Sequence, residues 1–299
     1  MWYIIKKEVT KNEEIKKELL NPKIDYVFKR IFGHQGNESI TKSFISAVLN
    51  QNITDVVLES DSCLPKDILD DKVGILDVKV KIDNHTNCDI EMQIVDKKNI
   101  EKRILFYCSK MYVQSIKSGT DYIDLEKSIA ILISDYELES LKAIEKYVSK
   151  WNLREEDYGN LILTDAIEIY IIELPKFEKY INDTALSDWV KFIINPKVSN
   201  MNNEEVKKAK KVLDELSQDE HERHLAELRE KYIMDQKAVE AAGYDKGLET
   251  GIKQGLEQGL EQGIDQGIKQ TAKKLKDEGI DINIICKTTG LSIDEINNL

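Results

Sequence analysis

Asp77, Glu91 and Gln93 are the residues whose types and spacing point most directly to chemistry. From Ile75 to Ile82, Leu76, Val78, Val80 and Ile82 alternate with Asp77, Lys79 and Lys81, the period of two of a half-buried strand. After turn residues Asp83 to Asn87, Ile90, Met92 and Ile94 alternate with Asp89, Glu91 and Gln93, so the two runs read as an antiparallel hairpin. A simple register across that turn predicts Asp77 opposite Gln93 and Lys79 opposite Glu91, leaving Asp77 and Glu91 diagonal neighbours. Two carboxylates at that distance can share a divalent cation through hard oxygen ligands, with positions left for water and a phosphate oxygen. Such an ion offsets charge building on phosphorus and lowers the pKa of bound water, so hydrolysis needs no histidine base. The chain has 4 histidines and none completes a triad. The same residues would also serve as the solvated face of an ordinary hairpin, and periodicity alone leaves both readings open.

The next segment supplies positive charge. Residues Ile100 to Ser118 read as a long helix ending at Gly119, and Lys97, Lys98, Lys102, Arg103, Lys110 and Lys117 face Glu101 as the single acid. Arg103, Tyr107 and Lys110 share one helical face, so with Lys79 and Lys102 they are candidate contacts to a phosphate backbone, while Ile104, Met111 and Tyr112 pack inward. Ordinary surface lysines would give the same pattern.

Composition bounds the function. The 299 residues carry 43 lysines and arginines against 55 aspartates and glutamates, a net charge of −12. That balance excludes a wholly basic nucleic-acid glove and leaves room for a local basic site. Cys63, Cys88, Cys108 and Cys286 form no C-x-x-C pair, so neither a zinc knuckle nor a disulfide framework is expected. No apolar run is long enough for a signal peptide or a membrane span. The expectation is a soluble cytoplasmic protein without a membrane partner.

Around the candidate site the chain divides into five parts. A lead-in covers residues 1–20, and residues 21–200 mix helical and strand periods as an α/β core does. Two helices open the core, over Pro22 to Phe32 and around Phe44 to Leu49; two apolar strands, Ile129 to Ile133 and Ile167 to Leu174, fit a sheet covered on both faces. A helical interval between Leu138 and Lys150 would connect them. Residues 201–242 form a charged helical segment. Residues 243–270 repeat every fourth position, with Gly247, Gly251, Gly255, Gly259, Gly263 and Gly267 each followed by Leu or Ile. Glycine costs a helix about 1 kcal/mol relative to alanine, so the repeat is either a helix packed closely on a second copy or a flexible linker. Residues 271–299 suggest two short helices around Thr289-Gly-Leu-Ser292, a helix-turn-helix-like element better suited to a structural cap than to reading bases.

Several segments together resemble a known family. Asn21-Pro-Lys-Ile-Asp-Tyr-Val-Phe-Lys-Arg-Ile-Phe32, Asp71-Lys-Val-Gly-Ile-Leu-Asp77, Asp89-Ile-Glu-Met-Gln93, Lys102-Arg-Ile-Leu-Phe-Tyr107, Gly119-Thr-Asp-Tyr122 and Ile172-Glu-Leu-Pro-Lys-Phe177 are similar to the Rpn family of recombination-promoting nucleases and transposases, within the PD-(D/E)XK superfamily. The resemblance covers about residues 20 to 195 and extends to the glycine-repeat tail. It implies a restriction-endonuclease-like α/β/α core and metal-dependent DNA cleavage, with Asp77 as central metal ligand and Glu91 as the second. Asp25 matches the family's acidic residue in the opening helix, as a further metal-shell group or as a charge on the helix dipole. Gln93 stands where the wider superfamily has lysine, a neutral group in place of a cation. The expected activity is a DNA endonuclease using Mg²⁺, with Mn²⁺ or Ca²⁺ as alternatives, acting in recombination, mobile-element biology or defence and assembling as a homo-oligomer through the tail. The rival expectation is a nuclease-fold binding module with little or no catalysis.

Overall fold

Six strands make one mixed sheet in the order β1-β2-β3-β4-β6-β5. They are β1 (Val56–Leu58), β2 (Val78–Ile82), β3 (Thr86–Gln93), β4 (Lys127–Ser134), β5 (Val148–Arg154) and β6 (Ile162–Glu173). The structure, a computed structural model, describes residues 17–59, 77–96, 98–116, 119, 121–180, 184–198 and 202–299. Cys63, residues 71–76 of the hairpin motif, Lys97, Lys117 and residues 1–16 of the lead-in lie outside the described residues. β3, β4 and β6 run parallel at the centre, and β1–β2, β2–β3 and β5–β6 are antiparallel. The fold is α/β.

Both faces of the central strands are covered, which is why β4 is apolar almost without interruption. On one face Ile129, Ile131 and Ile133 of β4, with Val78, Val80, Cys88 and Ile90, meet α1 (Asp25–Phe32), α2 (Glu38–Leu49), α4 (Ala185–Ile194) and α5 (Glu204–Gln218). Phe28, Phe32, Phe44, Trp189 and Phe192 form the aromatic centre of that layer, with Phe28 stacked on Phe32 at 4.4 Å. On the other face Ala130, Leu132 and Ile171 receive Ile100, Ile104 and Cys108 of α3 (Ile100–Gln114).

The structure corrects several expectations. The hairpin turn is Asp83 to His85, because Asp83 and Asn84 both take positive φ and His85 N–H bonds Ile82 O at 3.1 Å. Asp and Asn tolerate that conformation better than most residues. β3 therefore starts at Thr86, and the register moves by two residues: Lys79 pairs with Asp89, and Val78 with Ile90. α3 stops at Gln114 with Ser115 as its cap, short of Gly119. The interval after Leu138 is a single 3₁₀ turn, Glu139–Leu141, followed by edge strand β5. β5 is exposed along most of its length, and the adjacent Ser149 and Lys150 interrupt its alternation, so the period-two signal is too short to read. β1 is too short to show one, and β6 begins at Ile162 rather than Ile167.

The chain divides into two units, residues 1–235 and 236–299. Asp219 ends α5, and α6 (Glu220–Asp277) follows, its residues up to Asp235 belonging to the first unit. There α6 grips α1. Arg229 is buried and holds Asp25 through Nε–Oδ1 at 2.9 Å and Nη2–Oδ2 at 2.6 Å. Arg30 holds Glu222 through two bonds of 2.8 Å, and Tyr26 Oη donates to the same carboxylate at 2.9 Å.

In the second unit the glycine repeat lies within helix α6. A Cβ at any glycine from Gly247 to Gly267 would meet nothing within 4 Å, and Leu248, Ile252, Leu256, Leu260 and Ile264 are exposed. α7 (Ile282–Thr289) and α8 (Ile293–Asn297) fold back on the end of α6 around Ala272, Ile285 and Ile296. Ser292 and Glu295 form a capping box at α8. Among the described residues no helix is long and apolar enough to cross a membrane.

Losing one partner of a buried, doubly bonded ion pair leaves the other charge uncompensated. Arg229→Ala is expected to lower unfolding stability by about 3 kcal/mol, read by urea denaturation. A change within experimental error would show that the pair does not anchor α1.

Candidate active site

The shorter turn decides which side chains meet. Val78 opposite Ile90 is the first pair of the β2–β3 ladder, and Asp77 stands just outside it, where Asp89 and then Glu91 repel its carboxylate. Asp89 lies two residues before Glu91 on the same face of β3 and opposite Lys79. Asp77 and Asp89 are part-buried and Glu91 is buried. Three acids thus crowd one end of a hairpin that α3 partly covers.

Electrostatics record the crowding. Burial is the largest cause of a carboxyl pKa at Asp77 well above its ordinary value; repulsion from Asp89 and Glu91 adds to it, and Arg103 and Lys29 oppose it. Asp89 is pushed up to about 7, again mainly by burial and then by Glu91, with Lys79 and Lys29 opposing and Glu59 adding repulsion. Asp89 Oδ1 is buried without a hydrogen-bond partner. Hard oxygens, uncompensated negative charge and an unsatisfied acceptor are what a divalent cation would relieve, so the residues fit one. Among the described residues no three His, Cys, Asp or Glu side chains already converge as a preformed metal cluster.

Glu91 is occupied from within the chain. Arg103 Nη2, from the first turn of α3, forms an ion pair with Glu91 Oε1, and Gln93 Nε2 donates to the same oxygen. The Arg103 guanidinium also lies 5.8 Å from the Tyr107 ring centre. Beside these groups a cleft of about 290 Å³ is lined by Asp77, Lys79, Asp89, Tyr107, Lys110 and Gln114, among others. Its one wall is the acidic hairpin and its other the lysine-bearing face of α3. Tyr136 Oη is buried without a partner, and its acidity is suppressed first by burial and then by Asp96 and Glu91.

The structure therefore brings together Asp77, Glu91, Gln93 and Arg103, with Lys79, Tyr107 and Lys110 along the adjoining cleft. Lys102 is exposed and does not line that cleft. Asp25 is drawn elsewhere: its carboxylate is bound by Arg229, and its Oδ1 also accepts from Tyr26 N–H at 2.9 Å. Asp89 and Lys29 were not singled out as site residues. For Asp89 the signal was present, since it shares the polar face with Glu91; Lys29 lies on a different element, which no spacing rule connects to the hairpin.

Comparison with known proteins places the chain. A family model described as PD-(D/E)XK nuclease family transposase matches residues 22–243. No curated protein and no solved structure matches.

An aspartate whose folded-state pKa is raised loses stability as pH climbs from its unfolded value to its folded one. Asp89→Asn is expected to stabilise the cation-free protein by on the order of 2 kcal/mol at neutral pH and above. The gain should grow from about pH 4 to about 7, where Asp89 ionises in the fold. Thermal melts of both proteins with EDTA across that range check it; parallel curves would contradict the crowded-acid reading.

Proposed function

Because the chain belongs to the PD-(D/E)XK nuclease family transposases, a nuclease-type family, we propose that it is a divalent-cation-dependent DNA endonuclease. The observation that carries the reading is the mutual repulsion of Asp77, Asp89 and Glu91 at a cleft that Asp77 and Asp89 line with Tyr107 and Lys110 of α3, while Arg103 of the same helix pairs with Glu91. Asp77 and Glu91 would hold Mg²⁺, or Mn²⁺ or Ca²⁺, with Asp89 adding charge. When bound, the cation polarises the phosphodiester and acidifies the attacking water.

This chain's own residues supply the rest. Gln93 has both a donor and an acceptor and stands beside Glu91, placed to orient the water. Arg103, which pairs with Glu91, would be free to bind a phosphate oxygen were that carboxylate to hold a cation, one charge-assisted bond replacing another. Lys79, Tyr107, Lys110 and, at the exposed margin, Lys102 bind the DNA backbone, to which lysines offer charge and tyrosine a hydroxyl. Cleavage, with recombination as its consequence, suits both mobile-element and defence biology in the cytoplasm.

The exposed Leu and Ile residues beside unfilled glycines on α6 support homo-oligomerisation through residues 243–270. Apolar side chains left in water on a helix weakened by glycine are explained by a second copy that covers both. A second reading rests on a different observation: Glu91 is already neutralised by Arg103 and Gln93. A protein in which that pairing persists would be a nuclease-fold binding module without useful catalysis.

Plasmid cleavage separates the two. The enzyme reading expects nicking of supercoiled DNA that requires a divalent cation, stops with EDTA, and falls at least about 100-fold in Asp77→Ala and Glu91→Ala. Absence of cleavage by the folded protein with every cation favours the binding module. For the tail, truncation after Ala242 should reduce the mass measured by light scattering to that of one chain; equal subunit numbers in both proteins would reject the packing argument.

A further inference from the structure

Charge along α3 is opposite to that of the chain as a whole. Over residues 98–114 Lys98, Lys102, Arg103 and Lys110 stand against Glu101 alone, in a protein whose net charge is −12. Glu101 is already engaged, accepting a hydrogen bond from Ser140 Oγ. Lys102, Phe106, Lys110 and Gln114 follow at every fourth residue and all four are exposed, so they form one stripe along the helix. The stripe runs into the cleft. Lys110 and Gln114 line it together with Asp77 and Asp89, and Lys102 lies outside it.

A large ring stands in the middle of this stripe. Phe106 is 62% exposed, with Leu105 at 50% and Val113 at 65% on the same helix. Exposed apolar residues are commonplace singly, but an apolar patch rimmed by charge marks a binding surface. The Phe106 ring packs edge-on against Tyr107, with centres 5.5 Å apart and planes at 71°. Tyr107 in turn lines the cleft and lies 5.8 Å from the Arg103 guanidinium. Most of Phe106 thus remains open to solvent at a fixed place beside the cleft.

Charge decides the occupant. A second copy seated on this face across a two-fold axis would set the lysines against their own counterparts, a repulsive contact, whereas a polyanion is attracted to them. Within a duplex the bases are stacked on one another, and an unpaired base is the one that offers its π-face to a protein ring. Lysines one turn before and one turn after an exposed ring supply both halves of single-strand binding, charge for the backbone and a platform for the base. We propose that Phe106 is a base-stacking platform which, with Lys102 and Lys110, leads single-stranded DNA into the cleft of Asp77 and Asp89. The choice of DNA rests on the nuclease reading; the stacking mode deepens it by making an unpaired strand the preferred substrate. Supercoiled plasmid remains a substrate, since negative supercoiling favours local strand separation.

Fluorescence anisotropy in EDTA reads binding without cleavage, with labelled oligo(dT) and a duplex of equal length as probes. The natural chain should bind oligo(dT) more tightly than the duplex. Phe106→Ala should weaken oligo(dT) binding about 10-fold and duplex binding less than about twofold. Phe106→Leu, apolar but without a ring, should lose as much, and Phe106→Tyr should bind as the natural chain does. Lys102→Ala and Lys110→Ala should each weaken both probes and reduce the salt slope by about 1. Duplex bound as tightly as oligo(dT), undiminished binding of oligo(dT) by Phe106→Ala, or full binding by Phe106→Leu overturns the platform. A lower mass by light scattering for Phe106→Ala than for the natural chain also overturns it, because the face would then belong to a second copy. Oligo(dT) held through Phe106 by a chain that cleaves no DNA with any cation rejects the nuclease reading and keeps the platform; plasmid cleavage without the single-strand preference does the reverse.

Discussion

Mutual repulsion among Asp77, Asp89 and Glu91 at one end of the β2–β3 hairpin constrains everything around them. Like charges in a part-buried place are unfavourable unless something answers them, and the fold answers from each direction. Arg103 comes from α3, Lys79 from the facing strand and Lys29 from α1. The answer is incomplete, because Asp77 and Asp89 still have carboxyls of raised pKa and Asp89 Oδ1 has no hydrogen-bond donor. A site of this kind retains a standing attraction for a cation, and the price is stability.

The layers exist to keep that arrangement from relaxing. The apolar faces of β2 and β3 are pinned by the aromatic layer of Phe28, Phe32, Phe44 and Trp189, so the opposite, acidic face cannot rotate away. The parallel β3–β4 pair fixes the far end of β3, where Asp135 N–H bonds Gln93 O at 2.9 Å. α3 crosses between those strands and is anchored by Ile100, Ile104 and Cys108, which aims Arg103 and Tyr107 at the hairpin. Packing on one side of the sheet and chemistry on the other are two consequences of the same alternation.

The first part of α6 belongs to this machinery as well. Glu222 and Arg229 bind α1 by paired hydrogen bonds, so a helix that continues into the glycine repeat also holds the element that carries Lys29. In the second unit the repeat exposes aliphatic side chains and unfilled glycines, a surface that none of the described residues covers. Family membership over residues 22–243 takes in the α1–α6 contacts and stops where that surface begins.

Sequence by itself determined the alternating strands, the α/β class, the acidic and basic faces and the family resemblance, because period and residue type are local properties. It named Asp77, Glu91, Gln93 and Arg103, which the structure brings together. What it left to the tertiary structure was register and partnership. Two residues at positive φ, Asp83 and Asn84, shortened the turn and changed the residue opposite Lys79 from Glu91 to Asp89; a shift of two keeps every side chain on its face and so leaves no trace in the pattern. The diversion of Asp25 to Arg229 joins positions 204 apart in the chain. The influence of the Lys29 charge on Asp77 likewise depends on where α1 packs. Edge strand β5 was illegible for a local reason, since Ser149 and Lys150 break its alternation and leave only Trp151 to Arg154 in period. Local chemistry chose the residues, and long-range packing chose which of them meet.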